Sequence, residues 1–381
     1  MPAVESSLTV PRVGVGADDL PDAAALYESE GPFVSVMLDT ELAVENAPAR
    51  FDRKWKEHRR HLHDRGAPEA LLDRVGDWLR DARTEGDALA CIASADGTMV
   101  TAVGEHVGTD VAAWDSLPRL CPLIHWHQSN PPALLVLIDR TGADIFSGGR
   151  QRGLLGVVAG DDGPDIRKSP RGDWKQPHYE ARAQERWRAN TAEVAEQVVA
   201  LAERLEPRIV VVAGDLRAVE LMVDQLPPRL RALTRRVTGG RGKGSEGSVE
   251  EGSSRLYRSA VAEDTVELLA KLKEELGQRD RGVAGIADVA AALRSAAVDT
   301  LLLNDDPTSS RRMFFRTSDR TSVAPREADL EGLDLRDGRM VDVMIRAAWA
   351  SGAQVRMTPK VPELADGVGA LLRFPSVPST T

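Results

Sequence analysis

The chain has 381 residues, 42% of them apolar and 28% charged, with a formal net charge of −10 and two cysteines. This length suits two or three domains, each able to bury its own core; no run nears the ~18 apolar residues of a membrane helix, and the start, MPAVESSLTV, lacks the features of a signal peptide, so a cytoplasmic location without membrane contact is expected. The acidic balance argues against polyanion binding driven by overall field, and Cys91 and Cys121, with no CxxC pairing, indicate neither a disulfide framework nor a structural zinc site.

In chain order, PFVSVMLDT (residues 32–40) predicts a strand, being β-branched and aromatic. Helical periodicity follows over about 46–65 and 68–84, the second segment carrying Leu71, Leu72, Val75, Trp78 and Leu79. ALACIAS and GTMVTAV predict a hairpin across Asp96-Gly97, where glycine supplies a positive φ. The break at Asn130-Pro131-Pro132 opens a second segment. Three strands are expected at ALLVLIDR, ADIFS and LLGVVAG, then a basic loop, a helix of roughly 28 residues, the strand RIVVVAG and a short helix over about 216–225. Continuous apolar strands of this kind suit a sheet covered on both faces. TGGRGKGSEGSVEEGSS (residues 238–254) reads as a flexible linker. Beyond it come a helix over about 256–276, a helix and strand in GIADVAAALRSAAVDTLLLND, another such pair in VDVMIRAAWASGAQVRMT, and a turn and strand in ELADGVGALLRF. The expected organisation is therefore mixed α/β and α+β in three domains, at residues 1–129, 130–254 and 255–381.

Several chemistries find little support. GGRGKGS departs from the phosphate-loop template, because Lys243 is followed by Gly244 and no helix is expected nearby. His61 with His63, and His125 with His127 if the latter lie on a strand, could each supply two metal ligands, but no third ligand or HExxH pattern accompanies them, and no metal or other cofactor is expected. A Ser-His-Asp triad lacks a GxSxG elbow.

One stretch reverses the charge of the whole. Between Arg167 and Arg188 stand seven Lys and Arg against Asp173, Glu180 and Glu185. Tyr179, Ala183, Trp187, Val194, Val198, Leu201 and Leu205 recur at helical spacing, so one face of the helix is assigned to packing. That leaves Lys168, Arg171 and Lys175 in the loop, and Arg182, Arg186 and Arg188 around the flank of the helix, as candidate phosphate contacts, with Trp174 available to stack on a base. The alternative is a solvated basic face paired with Glu180 and Glu185.

With these residues in view, the chain resembles the archaeo-eukaryotic peptide-release-factor superfamily, which includes the eukaryotic class-1 release factor and Pelota. LLVLIDRTGADIF resembles the strands preceding the Gly-Gly-Gln loop of that family's central domain, and Gly172-Asp173-Trp174-Lys175-Gln176-Pro177-His178-Tyr179 occupies the register of the loop and helix start. VAAALRSAAVDTLLLND and ELADGVGALLRF resemble the third domain. The resemblance implies an RNase H-like central α/β domain and a C-terminal L7Ae-like α/β/α sandwich. Domain spacing and PFVSVMLDT are most similar to the bacterial branch, with its actinobacterial release-factor-like proteins and Balon-type ribosome hibernation factors. Asp173 and Trp174 stand where the second glycine and the glutamine would be, and the first domain has neither the Asn-Ile-Lys-Ser nor the Tyr-x-Cys element that reads stop codons. The resemblance thus implies a non-enzymatic factor occupying the A site of the 70S ribosome, contacting rRNA through Arg167, Lys168, Arg171, Gly172, Asp173, Trp174, Lys175, Gln176, His178, Arg182 and Arg186. It also implies elongation factor Tu as a delivery partner, and no DNA. The alternatives are a rescue hydrolase cleaving peptidyl-tRNA through Gln176, and a protein-interaction scaffold without RNA contact.

Overall fold

The computed structural model describes residues 14–42, 44–104, 110–148, 153–159, 176–242, 244–306 and 309–375, and for residues 176–184 and 186 the backbone alone. The chain falls into two compact units, residues 1–128 with 264–381, and residues 129–263. The division into three domains is a reading of the sequence; by compactness, the first and last thirds belong to one unit.

In the first unit, α1 (Pro21–Ala25) leads to β1 (Phe33–Asp39), followed by α2 (Ala47–Asp64), α3 (Glu69–Ala82), β2 (Ala88–Ser94), β3 (Met99–Gly104), β4 (Val111–Asp115) and α4 (Cys121–Ser129). The antiparallel sheet has the order β3-β2-β1-β4, and Gly97 turns the β2–β3 hairpin at φ +106°. Alternation along β1 sends Val34, Val36 and Leu38 against Phe51, Trp55, Leu72 and Leu79 of α2 and α3, while Phe33 and Met37 face the opposite way. There they join Ile124 and Trp126 of α4 and a large set of residues from the chain's last third, among them Leu301, Met344 and Val355. Both cysteines are buried and free.

The second unit contains β5 (Ala133–Asp139), β6 (Gly142–Gly148), β7 (Leu154–Ala159), α5 (Gln176–Leu205), β8 (Ile209–Gly214), α6 (Leu216–Gln225), α7 (Pro228–Leu233) and β9 (Thr234–Arg236). The sheet order is β7-β6-β5-β8-β9, with β5, β8 and β9 mutually parallel and β6 antiparallel to both its neighbours. Leu134, Val136 and Ile138 of β5 pack on Val194, Val198 and Leu201 of α5 and on Val219 and Met222 of α6. The other face, carrying Leu135, Val211 and Ala213, is covered by Val249 and Tyr257. Those two residues belong to α8 (Glu246–Gln278), which corrects the linker reading: residues 246–254 are helical. Their glycines and serines disfavour a helix, but Val249, Ser253 and Tyr257 recur every four residues and are all buried, and tertiary packing overrides propensity.

Asp215 caps α6, its Oδ1 accepting from Arg217 N at 3.0 Å and Ala218 N at 3.2 Å. Asp215→Ala is expected to cost about 1 kcal/mol, read as a lower urea midpoint at unchanged slope; Asp215→Asn, which keeps the acceptor, should restore most of it.

In the last third, the second half of α8 rejoins the first unit and is followed by β10 (Gly282–Ala284), α9 (Ile286–Arg294), β11 (Val298–Leu303), β12 (Arg312–Arg316), β13 (Val323–Ala324), β14 (Leu335–Arg339), α10 (Met340–Ala350), β15 (Gln354–Met357) and β16 (Val368–Leu372). One sheet has the order β10-β16-β11-β15 and a smaller one β13-β12-β14. Leu302 and Leu371 pack on Leu268 and Leu272 of α8, while Leu301, Leu303 and Ala370 join the core that holds α9 and α10. Helices thus cover both faces of the larger sheet, as an α/β/α arrangement requires. Among the described residues, no helix is long and apolar enough to cross a membrane.

Candidate nucleic-acid interface

In the second unit the parallel strands β5 and β8 end side by side, at Asp139 and Gly214. The carboxyl ends of parallel strands are where open α/β sheets place their ligand-facing groups, because each strand must hand its chain to a loop there. Gly214 has φ +143°, and a Cβ on it would lie 1.7 Å from Ile138 O, so only glycine permits this close strand ending. The residues that follow the two strands carry the charge: Arg140 after β5, Asp215 and Arg217 after β8.

These groups converge on Trp187 of α5. The Arg140 guanidinium lies 4.9 Å from the indole centroid and that of Arg217 5.4 Å. Arg140 Nε also donates to Asp215 Oδ2 at 3.2 Å, and Asn190 Nδ2 donates to Arg140 O at 3.4 Å, which ties α5 to the β5–β6 turn. Burial works to raise the Asp215 carboxyl, but the helix amides and Arg140 outweigh it and hold it below its usual range. The single carboxylate leaves an excess of positive charge: Arg140 is 62% exposed at its side chain, and Arg188 and Arg217 are exposed as well. Two exposed guanidinium groups held over a half-buried aromatic suit phosphate oxygens and nucleobase faces, since the ring fixes their direction and Arg140 spends only its Nε on Asp215.

A fourth arginine at this edge is engaged. Arg241 donates to both oxygens of Asp144, at 2.9 and 3.1 Å, and to Asp139 at 3.2 Å. Burial raises the Asp139 carboxyl, yet its Thr141 hydrogen bonds and Arg241 together bring it below its ordinary range. The glycine-rich segment therefore acts as a clamp. Ser245 Oγ donates to the carbonyls of Gly240 and Gly242, and Gly240 packs so near Gly214 that a Cβ would stand 3.2 Å from its Cα. A helix does begin directly after it, contrary to the sequence expectation, but the mismatch to the phosphate-loop template stands; Lys243 lies outside the described residues.

In the chain the basic segment follows β7. Strand β7 ends at Ala159, paired with Gly142 beside Asp139. Arg167, Lys168, Arg171, Gly172, Asp173, Trp174 and Lys175 lie outside the described residues. Gln176, His178, Arg182 and Arg186 are on α5, whose backbone is helical from Gln176, but their side chains also lie outside what is described. Gln176 precedes Trp187 by eleven residues, about 16 Å of helix. Trp187, assigned to packing by periodicity, is half-buried and holds the two arginines. Arg140 and Arg217 were not singled out in the sequence; each lies within three residues of the end of an apolar parallel strand, the signal that could have found them.

The histidine pairs come out differently from expectation in one case. His125 and His127 lie on helix α4, not a strand, and two residues apart on a helix they diverge. His61 and His63 are in the last turn of α2, with His63 3.8 Å from Asp64 and 3.7 Å from Glu69. Among the described residues, no cluster of three or more His, Cys, Asp or Glu has metal-binding geometry.

Residues 132–278 match the bacterial archaeo-eukaryotic release factor family 2. The whole chain is similar to an uncharacterized protein of Mycobacterium tuberculosis, Rv2629, at 29% identity over 367 residues, covering 92% of this chain and 95% of the relative. Among solved structures it is similar to an archaeal Pelota in a ribosome-bound complex with ABCE1, at 16% identity, TM-score 0.41 and 96% coverage of both chains. It is also similar to the archaeal translation termination factor aRF1, at 17% identity and TM-score 0.27, covering 96% of this chain and 100% of the other.

Proposed function

We propose that the chain, whose residues 132–278 match the bacterial archaeo-eukaryotic release factor family 2, is a ribosome-associated member of the bacterial branch of the release-factor superfamily that fills the A site of the 70S particle without cleaving the peptidyl ester. The observation that carries the reading is the Arg140–Trp187–Arg217 stack, with both guanidinium groups exposed, at the end of the sheet where β7 also ends. It supplies a structured cluster of cations in a unit whose 160–175 segment is basic by sequence, within a chain of net charge −10. Such a local reversal favours a polyanion at this edge and nowhere in general.

The loop's composition favours occupancy over hydrolysis. Asp173 and Trp174 replace the glycine and glutamine of the family's loop, and a carboxylate and an indole reproduce neither its close backbone approach nor its water placement. We assign the protein to hibernation or stress, with Arg167, Lys168, Arg171, Gly172, Asp173, Trp174, Lys175, Gln176, His178, Arg182 and Arg186 toward the peptidyl-transferase centre. The first third would face the decoding centre, and elongation factor Tu is the candidate for delivery. The second reading, a rescue hydrolase, rests on Gln176, the first residue of α5.

Co-sedimentation with purified 70S ribosomes at low salt tests the proposal. The protein is expected to pellet with 70S particles and to dissociate as salt rises; failure to pellet removes the ribosomal reading altogether. Stalled peptidyl-tRNA complexes treated with wild type and Gln176→Ala should release no peptide in either case. Release by wild type that is lost in the variant would establish the rescue enzyme instead.

A further inference from the structure

A second site lies in the first unit. Arg346 of α10 is 4% exposed, yet among the described residues no carboxylate lies within ion-pair distance of it. Its Nη1 donates to Arg320 O at 3.3 Å and Nη2 to Thr317 O at 3.2 Å, and its guanidinium sits 5.0 Å from the Phe315 ring. Two neutral carbonyls and an aromatic face compensate a buried cation only in part, so the charge is left seeking an anion. The contrast is Arg339, the residue just before the same helix and also buried, which reaches both Asp305 and Asp342. Burial lowers the Arg346 pKa to about 10, with Tyr27 and Asp319 acting the other way, so the group remains a cation at neutral pH.

Arg346 opens onto a cavity of about 340 Å³, the size of a small-molecule site. Its floor is apolar, from Phe33, Leu117 and Phe315, and its walls carry Ser116, Ser318 and two further arginines, Arg320 and Arg336. Of the two lining carboxylates, Glu28 is taken by Arg320 at 2.7 Å, and Glu30 is exposed. Arg336, among the described residues, has no ion-pair partner. The hydroxyl of Tyr27, another lining residue, is buried with no hydrogen-bond partner. The Ser116 and Ser318 hydroxyls are taken up by Asp337 O and Asp334, so an excess of guanidinium charge, the unpartnered Tyr27 hydroxyl and an apolar floor converge on one concave space. We propose that this cavity binds a small organic oxyanion, a phosphate or carboxylate headed molecule whose apolar portion rests on Phe33 and Phe315, with Arg346 and Arg336 as the anion-binding residues. The site is independent of the ribosomal reading, because it draws on no residue of the second unit.

The test is thermal unfolding of the full chain in sodium phosphate, sodium citrate and sodium chloride at matched ionic strength. Phosphate or citrate is expected to raise Tm saturably by a few degrees beyond chloride, as a ligand that binds only the folded state must; which anion does so identifies the head group. Arg336→Ala, an exposed change that leaves the fold intact, should weaken the apparent affinity about tenfold by removing one charge-assisted contact. Arg346→Met should abolish the effect, and if that variant fails to fold, calorimetric titration of Arg336→Ala decides alone. A paired Arg140→Gln, Arg217→Gln variant must keep the full shift. Equal shifts in all three salts, an undiminished shift in Arg336→Ala, or loss of the shift in the Arg140/Arg217 variant would overturn the proposal.

Discussion

Arg339→Met is expected to lower the stability of the chain by about 3 kcal/mol at pH 7.5, the lower end of what removing one partner of a buried ion pair costs. Arg339 is buried at the start of α10, paired with Asp305 and standing 3.8 Å from Asp342. Asp342 is 1% exposed, its Oδ1 4.0 Å from Cys121 Sγ and its Oδ2 without a hydrogen-bond partner. Burial is the dominant influence on this carboxyl and raises its pKa to about 7, with Arg339 and Arg119 opposing. Burial likewise pushes the Cys121 thiol up, so sulfur remains neutral in the same range.

The direction of the pH dependence follows. Between the unfolded carboxyl's value near ~3.9 and the folded value of about 7, the folded chain retains a proton that the unfolded chain has released. Asp342 therefore makes the protein more stable as pH falls, by about 1.4 kcal/mol from pH 8 to pH 6, opposite in sign to an ordinary paired carboxylate. Urea unfolding of wild type and Asp342→Asn at the two pH values should differ by that amount. In Arg339→Met the opposing cation is gone, the folded pKa rises further, and acidification should recover more than it does in wild type. A loss in Arg339→Met that does not change with pH would mean that Asp305 alone accounts for it.

The strands and helices that the sequence announced are those whose burial pattern is local. PFVSVMLDT, ALLVLIDR and RIVVVAG are read from composition alone because both faces of each strand are covered, and α2 and α3 from an apolar stripe on one side. Helix α4 escaped because Cys121, Leu123, Ile124 and Trp126 are all buried, so no polar face marks its period. The small sheet β13-β12-β14 escaped for the opposite reason: LRDGR and RMFFR are short and half exposed, with charge at their ends. That the first and last thirds share a core was invisible, since the contacting residues, Met37 and Met344 for example, are separated by an entire compact unit of chain. At the interface the loop and the basic helix were legible as a run of charge, whereas Arg140 and Arg217 are isolated arginines that only the strand order brings to Trp187.

That convergence sets up the larger functional effect. Arg140→Gln combined with Arg217→Gln is expected to weaken 70S binding by about 50-fold near 0.1 M salt and to flatten the slope of log affinity against log salt by about 1.5, since each arginine withdrawn from a phosphate withdraws one released counterion. Both side chains are exposed, and the one ion pair lost, Arg140 with Asp215, is itself largely solvated and worth little to folding. The Asp215 cap on α6 is untouched, so thermal stability should change little. Trp187→Leu separates the two roles of the stack. It keeps an apolar side chain against the sheet edge but removes the ring that orients both guanidinium groups, so affinity should fall by about tenfold with the salt slope unchanged. Replacing Arg171, Lys175, Arg182 and Arg186 by alanine tests the loop and helix start separately. If the edge and the loop meet one continuous stretch of rRNA, the two sets should weaken binding additively in free energy, each with its own loss of slope. Binding that survives the edge variant but not the loop variant would confine the contact to residues 171–186 and reduce the Trp187 stack to a brace for α5.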